Sequence, residues 1–223
     1  MKPKYLVSIV LIVVALGILM RNGGSMTNAR PLVYKDSLEK VAARMNDEEL
    51  TLRELAFYVG TVEYNVQQEA LVYDPDDPNR YWSMRIKGGF TNAVARNNTM
   101  QMALHDALFF QMAQKEGITL DADEKEQVQN KLEDFWEDLT ERQGEQALGI
   151  SRAQAEAVIE KIACAQKYQA VYAQLHNHSY EDYDFNQKSY QKLLKKQDYK
   201  IYNGVWNRVS FGNVTYNNKK KED

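Results

Sequence analysis

Residues 51–71 read T-L-R-E-L-A-F-Y-V-G-T-V-E-Y-N-V-Q-Q-E-A-L, and this stretch decides the fold class. Thr51 followed three residues later by Glu54 makes a capping box, in which the hydroxyl accepts from a free helical N–H and the carboxylate reaches back to the cap. A helix is therefore predicted to start at Thr51. Leu52, Leu55, Val59, Val62 and Val66 recur at spacings of three and four, which gathers them on one face for burial. The helix should end around Leu71 to Tyr73. Asp74-Pro75-Asp76-Asp77-Pro78-Asn79 follows, and closely spaced prolines cannot continue a helix.

The same grammar recurs downstream. Met100, Leu104, Leu108 and Met112, with Ala103, Ala107 and Phe110 beside them, predict a helix over 91–116 that Gly117 stops. Asp121 and Glu124 form a second capping box, opening a helix with Val128, Leu132, Phe135 and Leu139 on one side and Gly144 at its end. Ser151 and Gln154 form a third, before a helix whose Val158, Ile162, Ala165 and Tyr172 face inward and which ends at Asn177, His178 and Ser179. Asp184 and Gln187 fit a further box ahead of a short helix carrying Tyr190, Leu193 and Leu194. The expected class is mainly α, with several helices around one core.

Two segments read as β. Val41, Ala43 and Met45 alternate with more polar neighbours, Asn46-Asp47 signals a turn, and Leu50 resumes the apolar side. Near the other end, residues 199–216 are rich in Tyr, Val, Trp and Phe, and Asn203-Gly204 between two runs predicts a hairpin.

The N-terminus carries Lys2 and Lys4 before an uncharged apolar run from Tyr5 to Met20, the pattern of a signal sequence or signal anchor. As a helix this run spans about 24 Å, somewhat under the roughly 30 Å hydrocarbon core. No run of small residues suited to cleavage follows it; Thr27-Asn28-Ala29 is the nearest candidate. No cysteine follows it either, which excludes lipid attachment at a new N-terminal Cys. An uncleaved transmembrane helix over residues 1–21 is expected, with the lysines cytoplasmic and the remainder extracytoplasmic; secretion after cleavage is the alternative. Residues 22–36, with Gly23, Gly24, Ser25, Asn28 and Pro31, read as a flexible tether, 37–216 as the folded domain and 217–223 as a charged tail.

Composition is that of an ordinary globular chain, 44% apolar and 26% charged. The net charge of −3 becomes −5 without the two N-terminal lysines, which argues against a nucleic-acid partner. Cys164 is the one cysteine and reads as a buried apolar residue, so no intrachain disulfide stabilises the domain. No cofactor or metal is expected. The acidic turn lacks the central Gly and terminal Glu of an EF-hand loop. His176 and His178 have no third ligand nearby, and His105 reads as a partly exposed helical residue. Glu133, Asp134, Glu137 and Asp138 form a solvated acidic face, and no nucleophile-elbow, zinc-protease, P-loop or dinucleotide motif occurs.

Three stretches resemble the SurA/PrsA-like extracytoplasmic foldases. Residues 41–55, V-A-A-R-M-N-D-E-E-L-T-L-R-E-L, are similar to the strand, turn and first helix of that family, with Asn46-Asp47 where the family commonly has Asn-Gly. Residues 113–124, A-Q-K-E-G-I-T-L-D-A-D-E, and 148–154, L-G-I-S-R-A-Q, resemble its two later helix junctions. The resemblance covers roughly residues 40–175 and implies a SurA-N-like chaperone domain that holds unfolded or nascent exported polypeptides without ATP. It also suggests a small β element in which the segment around residues 206–211 packs as a strand pair on the N-terminal one. Only about 40 residues follow Tyr180, too few for a parvulin domain with its own core, so no prolyl isomerase activity is expected. An anchored assembly subunit with one dedicated partner is the alternative function.

Tyr73, Tyr81, Trp82 and Phe90 lie in the segment of poorest periodicity, around Gly88-Gly89. Aromatic groups bind segments of many sequences through non-directional apolar area, so these four are the candidate peptide-binding residues, with core packing as the alternative use.

Overall fold

The computed structural model describes residues 30–86 and 88–216. The predicted anchor and the charged tail lie outside the described residues, and no described helix is long and apolar enough to cross a membrane. The described chain is mainly helical, as expected.

The strand-and-turn reading of 41–50 resolves into a hairpin, β1 (Val41–Met45) and β2 (Glu48–Thr51), with Asn46 at φ 52° in the turn. That left-handed conformation is one Asn adopts readily, which is why Asn can open the turn. Thr51 then caps α1 (Leu52–Tyr73) with both halves of the capping box formed. Pro78 takes the first position of the short α2 (Pro78–Trp82), where a missing N–H costs nothing. A small ribbon follows, β3 (Arg85–Ile86) and β4 (Gly89–Phe90).

Next come α3 (Thr91–Lys115), α4 (Ala122–Glu141), the single turn α5 (Glu145–Leu148) and α6 (Arg152–Leu175). The Asp121 and Ser151 capping boxes are both present. Gly117, at φ +66°, ends α3 by letting Ile118 N–H return to the Ala113 carbonyl. Gly144 closes α4 by returning its N–H to the Leu139 carbonyl and at the same time caps α5. The most extensive helix pairing is α3 on α6, with α4 and α1 completing the layer around them. The methionine and leucine stripe of α3 explains this: Met100, Leu104 and Leu108 are all buried.

The C-terminal segment returns to the beginning of the domain. After α7 (Lys188–Leu194), β5 (Tyr199–Ile201) pairs antiparallel with β1, giving the sheet order β2-β1-β5. The predicted hairpin around Asn203-Gly204 does not form. Tyr202 N–H bonds the Ala42 carbonyl, while its own carbonyl accepts from Val205 and Trp206, so the chain turns into a short helix, α8 (Asn203–Trp206). Burial of the Trp206 indole, whose N–H donates to the Arg96 carbonyl, holds that turn in place. The strand partner of β1 is thus 199–201, not the 206–211 segment. At the other end of the tether stretch, Leu32 N–H donates to the Arg208 carbonyl and the buried Tyr34 hydroxyl to that of Leu52, so these residues belong to the packed domain.

Three local expectations need correction. Gln187 occupies the cap of α7 but its side chain makes no capping bond, and the Asp184 carboxylate accepts from Gln169 instead. Cys164 is half-buried, and burial together with Glu160 and Glu124 pushes its thiol up, away from the reactive thiolate. His105 is buried: Nε2 donates to the Tyr183 carbonyl at 3.0 Å and Nδ1 lies 2.8 Å from Asp106 Oδ1. Tyr58 donates to the other oxygen of Asp106, so the ring is part of a tie between α1, α3 and the C-terminal segment.

Candidate functional site: a groove between α1 and α4

The apolar stripe of α1 turns Val59, Val62 and Val66 into the core, which leaves Phe57, Thr61, Tyr64 and Asn65 along its side toward α4. The two helices meet at Gly60. A Cβ there would sit 2.9 Å from Phe135 Cε2, so only glycine lets the α4 ring come this close. Phe135 then packs on Phe57 with ring centroids 4.8 Å apart. Arg142 fixes the end of α4 by donating to the Gly60 carbonyl at 3.0 Å, and its guanidinium lies over the rings of Tyr64 and Tyr216.

Beside this crossing is an open groove of about 390 Å³. Its apolar part is Phe57, Tyr64 and Phe135; its polar part is Thr61 and Asn65 from α1 and Gln127, Asn130, Lys131, Asp134, Asp138 and Arg142 from α4 and just beyond it. The side chains of Thr61, Asn65, Gln127 and Asn130 make no hydrogen bond to another described residue. Lys131 is half-buried and has no ion pair within 4 Å among the described residues; burial pulls its ammonium below the ordinary lysine value. Burial pushes the Asp138 carboxyl and the neighbouring Tyr64 phenol up.

The groove deepens into a second cavity of about 60 Å³, with Phe57, Thr61, Asn65 and Lys131 lining both. Its inner wall carries Met102, Ile162 and Phe185 together with Asp106, Gln166 and Gln169. Such a site offers aromatic area for apolar side chains and free amide and hydroxyl groups for a main chain. No cluster of three metal-ligating residues occurs among the described residues.

The aromatic residues singled out in the sequence are placed elsewhere. Tyr73 and Tyr81 come together, ring centroids 5.5 Å apart, with Tyr81 donating to Glu69. Tyr73 is 59% exposed and continues an apolar patch with Leu71 and Val72. Trp82 is withdrawn from that surface: it is 4% exposed, and its indole donates to Gln67 Oε1 at 2.8 Å. Gly212, at φ +86°, lies against its ring, so closely that a Cβ there would meet it at 2.6 Å. Phe90 is half-buried in β4 beneath the Arg85 guanidinium. None of the four lines the groove.

Asp134 and Asp138, read from the sequence as a solvated acidic face, belong to the groove's wall. Thr61 and Asn65 are four apart on α1, and Gln127, Asn130, Lys131, Asp134 and Asp138 follow helical spacing on α4, each beside an apolar stripe. Comparison with protein-family models, with curated proteins and with solved structures found no match for this chain.

Proposed function

We propose that this chain is a membrane-tethered, extracytoplasmic polypeptide-binding domain that holds unfolded exported chains without ATP and without prolyl isomerisation, with the α1–α4 groove as its client site. The observation that carries the reading is the groove's composition. Three aromatic rings lie beside three amides and one hydroxyl whose side chains have no hydrogen-bond partner among the described residues. Aromatic area tolerates many side chains, and free amides can bond the main chain that every polypeptide shares. The SurA-N-like resemblance supports the same reading, and a helical domain closed by strands from both ends of the chain agrees with it. The Lys2–Met20 segment supports the tether, and tethering raises local concentration where exported chains emerge.

An anchored assembly subunit with a single partner is the second reading, and the closed packing of Trp82 favours it, since that corner offers no adaptable surface. Aggregation of an unfolded exported protein, followed by light scattering with the full chain in lipid nanodiscs, tests the first reading. Suppression near equimolar ratio is expected for the native chain. Thr61→Trp, whose indole would fill the groove, should abolish it. No suppression by the native chain, together with one dominant partner in a membrane pull-down, would leave the second reading standing.

A further inference from the structure

We propose that the resting occupant of the α1–α4 groove is the chain's own tail, residues 217–223, which a client must displace to bind; the displacement, though not the docking, rests on the client-site reading above. Tyr216 stands at the mouth of the groove. Arg142, which lines one end of it, has its guanidinium 5.2 Å from the centre of the Tyr64 ring and 5.3 Å from that of Tyr216. The preceding residue, Thr215, is locked to Glu63 through its N–H and its hydroxyl, so the point from which the tail departs is fixed. The Tyr216 phenol registers the groove's charges: burial pushes it up to about 12, Arg142 opposes the rise, and Glu63, Tyr64 and Asp138 add to it. Asn217-Asn218-Lys219-Lys220-Lys221-Glu222-Asp223 continue from there.

The charges of groove and tail alternate in matching order. Counting along α4 from Arg142, Asp138, Asp134 and Lys131 follow after about 6, 12 and 17 Å of helix. An extended tail puts Lys219 to Lys221 about 10–17 Å from Tyr216 and Asp223 about 23 Å away, so the lysines reach the two carboxylates and the Glu222-Asp223 pair reaches the Lys131 ammonium. Asp134, Asp138 and Lys131 have no ion pair within 4 Å among the described residues. A further carboxylate, Asp106, lies in the inner cavity, where Tyr58 bonds one oxygen and His105 Nδ1 is 2.8 Å from the other. Arg142 repels lysines, but the residues that pass it, Asn217 and Asn218, are uncharged. The faces of Tyr64 and Phe135 suit lysine stems and ammonium groups. Attachment does the rest, since an effective concentration in roughly the millimolar range fills a site too weak to hold the same segment free in solution. The tail has no apolar side chain, so a client that covers the rings gains what the tail leaves unused.

The test is zero-length carbodiimide crosslinking of the full chain in detergent micelles, with native and isotope-labelled chains mixed so that links within and between chains differ in mass. Lys161 to Glu54, at 3.1 Å, and Lys167 to Glu124, at 2.7 Å, are the internal controls. Links within one chain from Lys219, Lys220 or Lys221 to Asp134 or Asp138 are expected, and an excess of an unfolded exported protein should suppress them. Lys219→Glu, Lys220→Glu and Lys221→Glu together should raise affinity for that protein about threefold, as for a groove filled about two-thirds of the time, and high salt should erase the difference. Control links without any from the tail to α4 would overturn the proposal. Tail links found only between chains would overturn it too, and assign the groove to the tail of a second copy. Tail links that persist under excess client, with unchanged affinity in the triple variant, would keep the docking and overturn the client-site reading.

Discussion

Opposite sides of α1 solve the same polar problem in contrary ways. On one side, Glu63 is fully buried, and its carboxylate accepts from the backbone N–H groups of Gly212, Val214 and Thr215 and from the Thr215 hydroxyl. On the other, the Thr61 and Asn65 side chains bond no described residue and line the open groove. The Glu63 side is a lock, holding the C-terminal segment onto the domain and closing the corner over Trp82. The groove side keeps its polar groups free. A helix that satisfies its buried carboxylate on one side and leaves half-exposed polar groups free on the other has divided stability from binding.

The sharpest way to break the lock is Glu63→Leu. It strands four donors in the interior, each worth about 1–3 kcal/mol when left unbonded, so a loss of about 3 kcal/mol or more is expected. For a domain of this size the melting temperature should fall by about 6–12 °C, with Trp82 fluorescence shifting as its corner opens. Burial outweighs the four donors and pushes the Glu63 carboxyl above its ordinary value. A raised folded value means the contribution of Glu63 is fully present below the ordinary carboxylate range and is lost as pH climbs through the folded value. The pH dependence of melting should weaken in that sense in Glu63→Gln, which cannot titrate.

Gly60→Ala tests the crossing that sets the groove. The new methyl meets Phe135 at 2.9 Å, and overpacking of this kind costs about 1–3 kcal/mol. Phe135 lines the groove, so displacing its ring should lower client affinity along with stability. A variant that melts like the native chain would show that Gly60 does not govern the approach of α4.

Lys131→Met should move stability the other way. The ammonium is half-buried without an ion pair among the described residues, and removing it should raise the melting temperature by about 2–4 °C while weakening binding. The sign follows from the lowered folded value: native stability is gained as pH rises through that value toward the ordinary lysine one, and lost as pH falls. The variant should lack this dependence, and the two melting curves should converge at high pH. Asn130→Ala, the mildest change, should leave stability within about 0.5 kcal/mol and lower client affinity alone.

Much of the lock's frame was readable from residue order. Capping boxes at Thr51, Asp121 and Ser151 are local chemistry, and the Asn46-Asp47 turn and Gly117 stop likewise depend only on neighbours. What was not readable is non-local. Glu63 gives no sign in its own stretch that donors more than 140 residues away will surround it. Trp82 lay in an irregular segment, and its burial depends on Gly212 arriving across it. The Asn203-Gly204 pair carries a strong hairpin signal, yet pairing of Tyr199–Ile201 with β1 and burial of Trp206 outweigh it. The groove escaped notice because its residues are defined by what they fail to contact, and no pattern in one helix records an absent neighbour.

The comparison between the lock and the groove, and the choice between the groove and the Leu71–Tyr73 patch, come down to where a client touches. A photo-crosslinking residue placed at Asn130 in the groove, or at Val72, 87% exposed on the patch, reads that position directly when the full chain is mixed with an unfolded exported protein. Client adducts from position 130, competed away by excess unlabelled client, with few from position 72, are the predicted result. Adducts from 72 and none from 130 would contradict it.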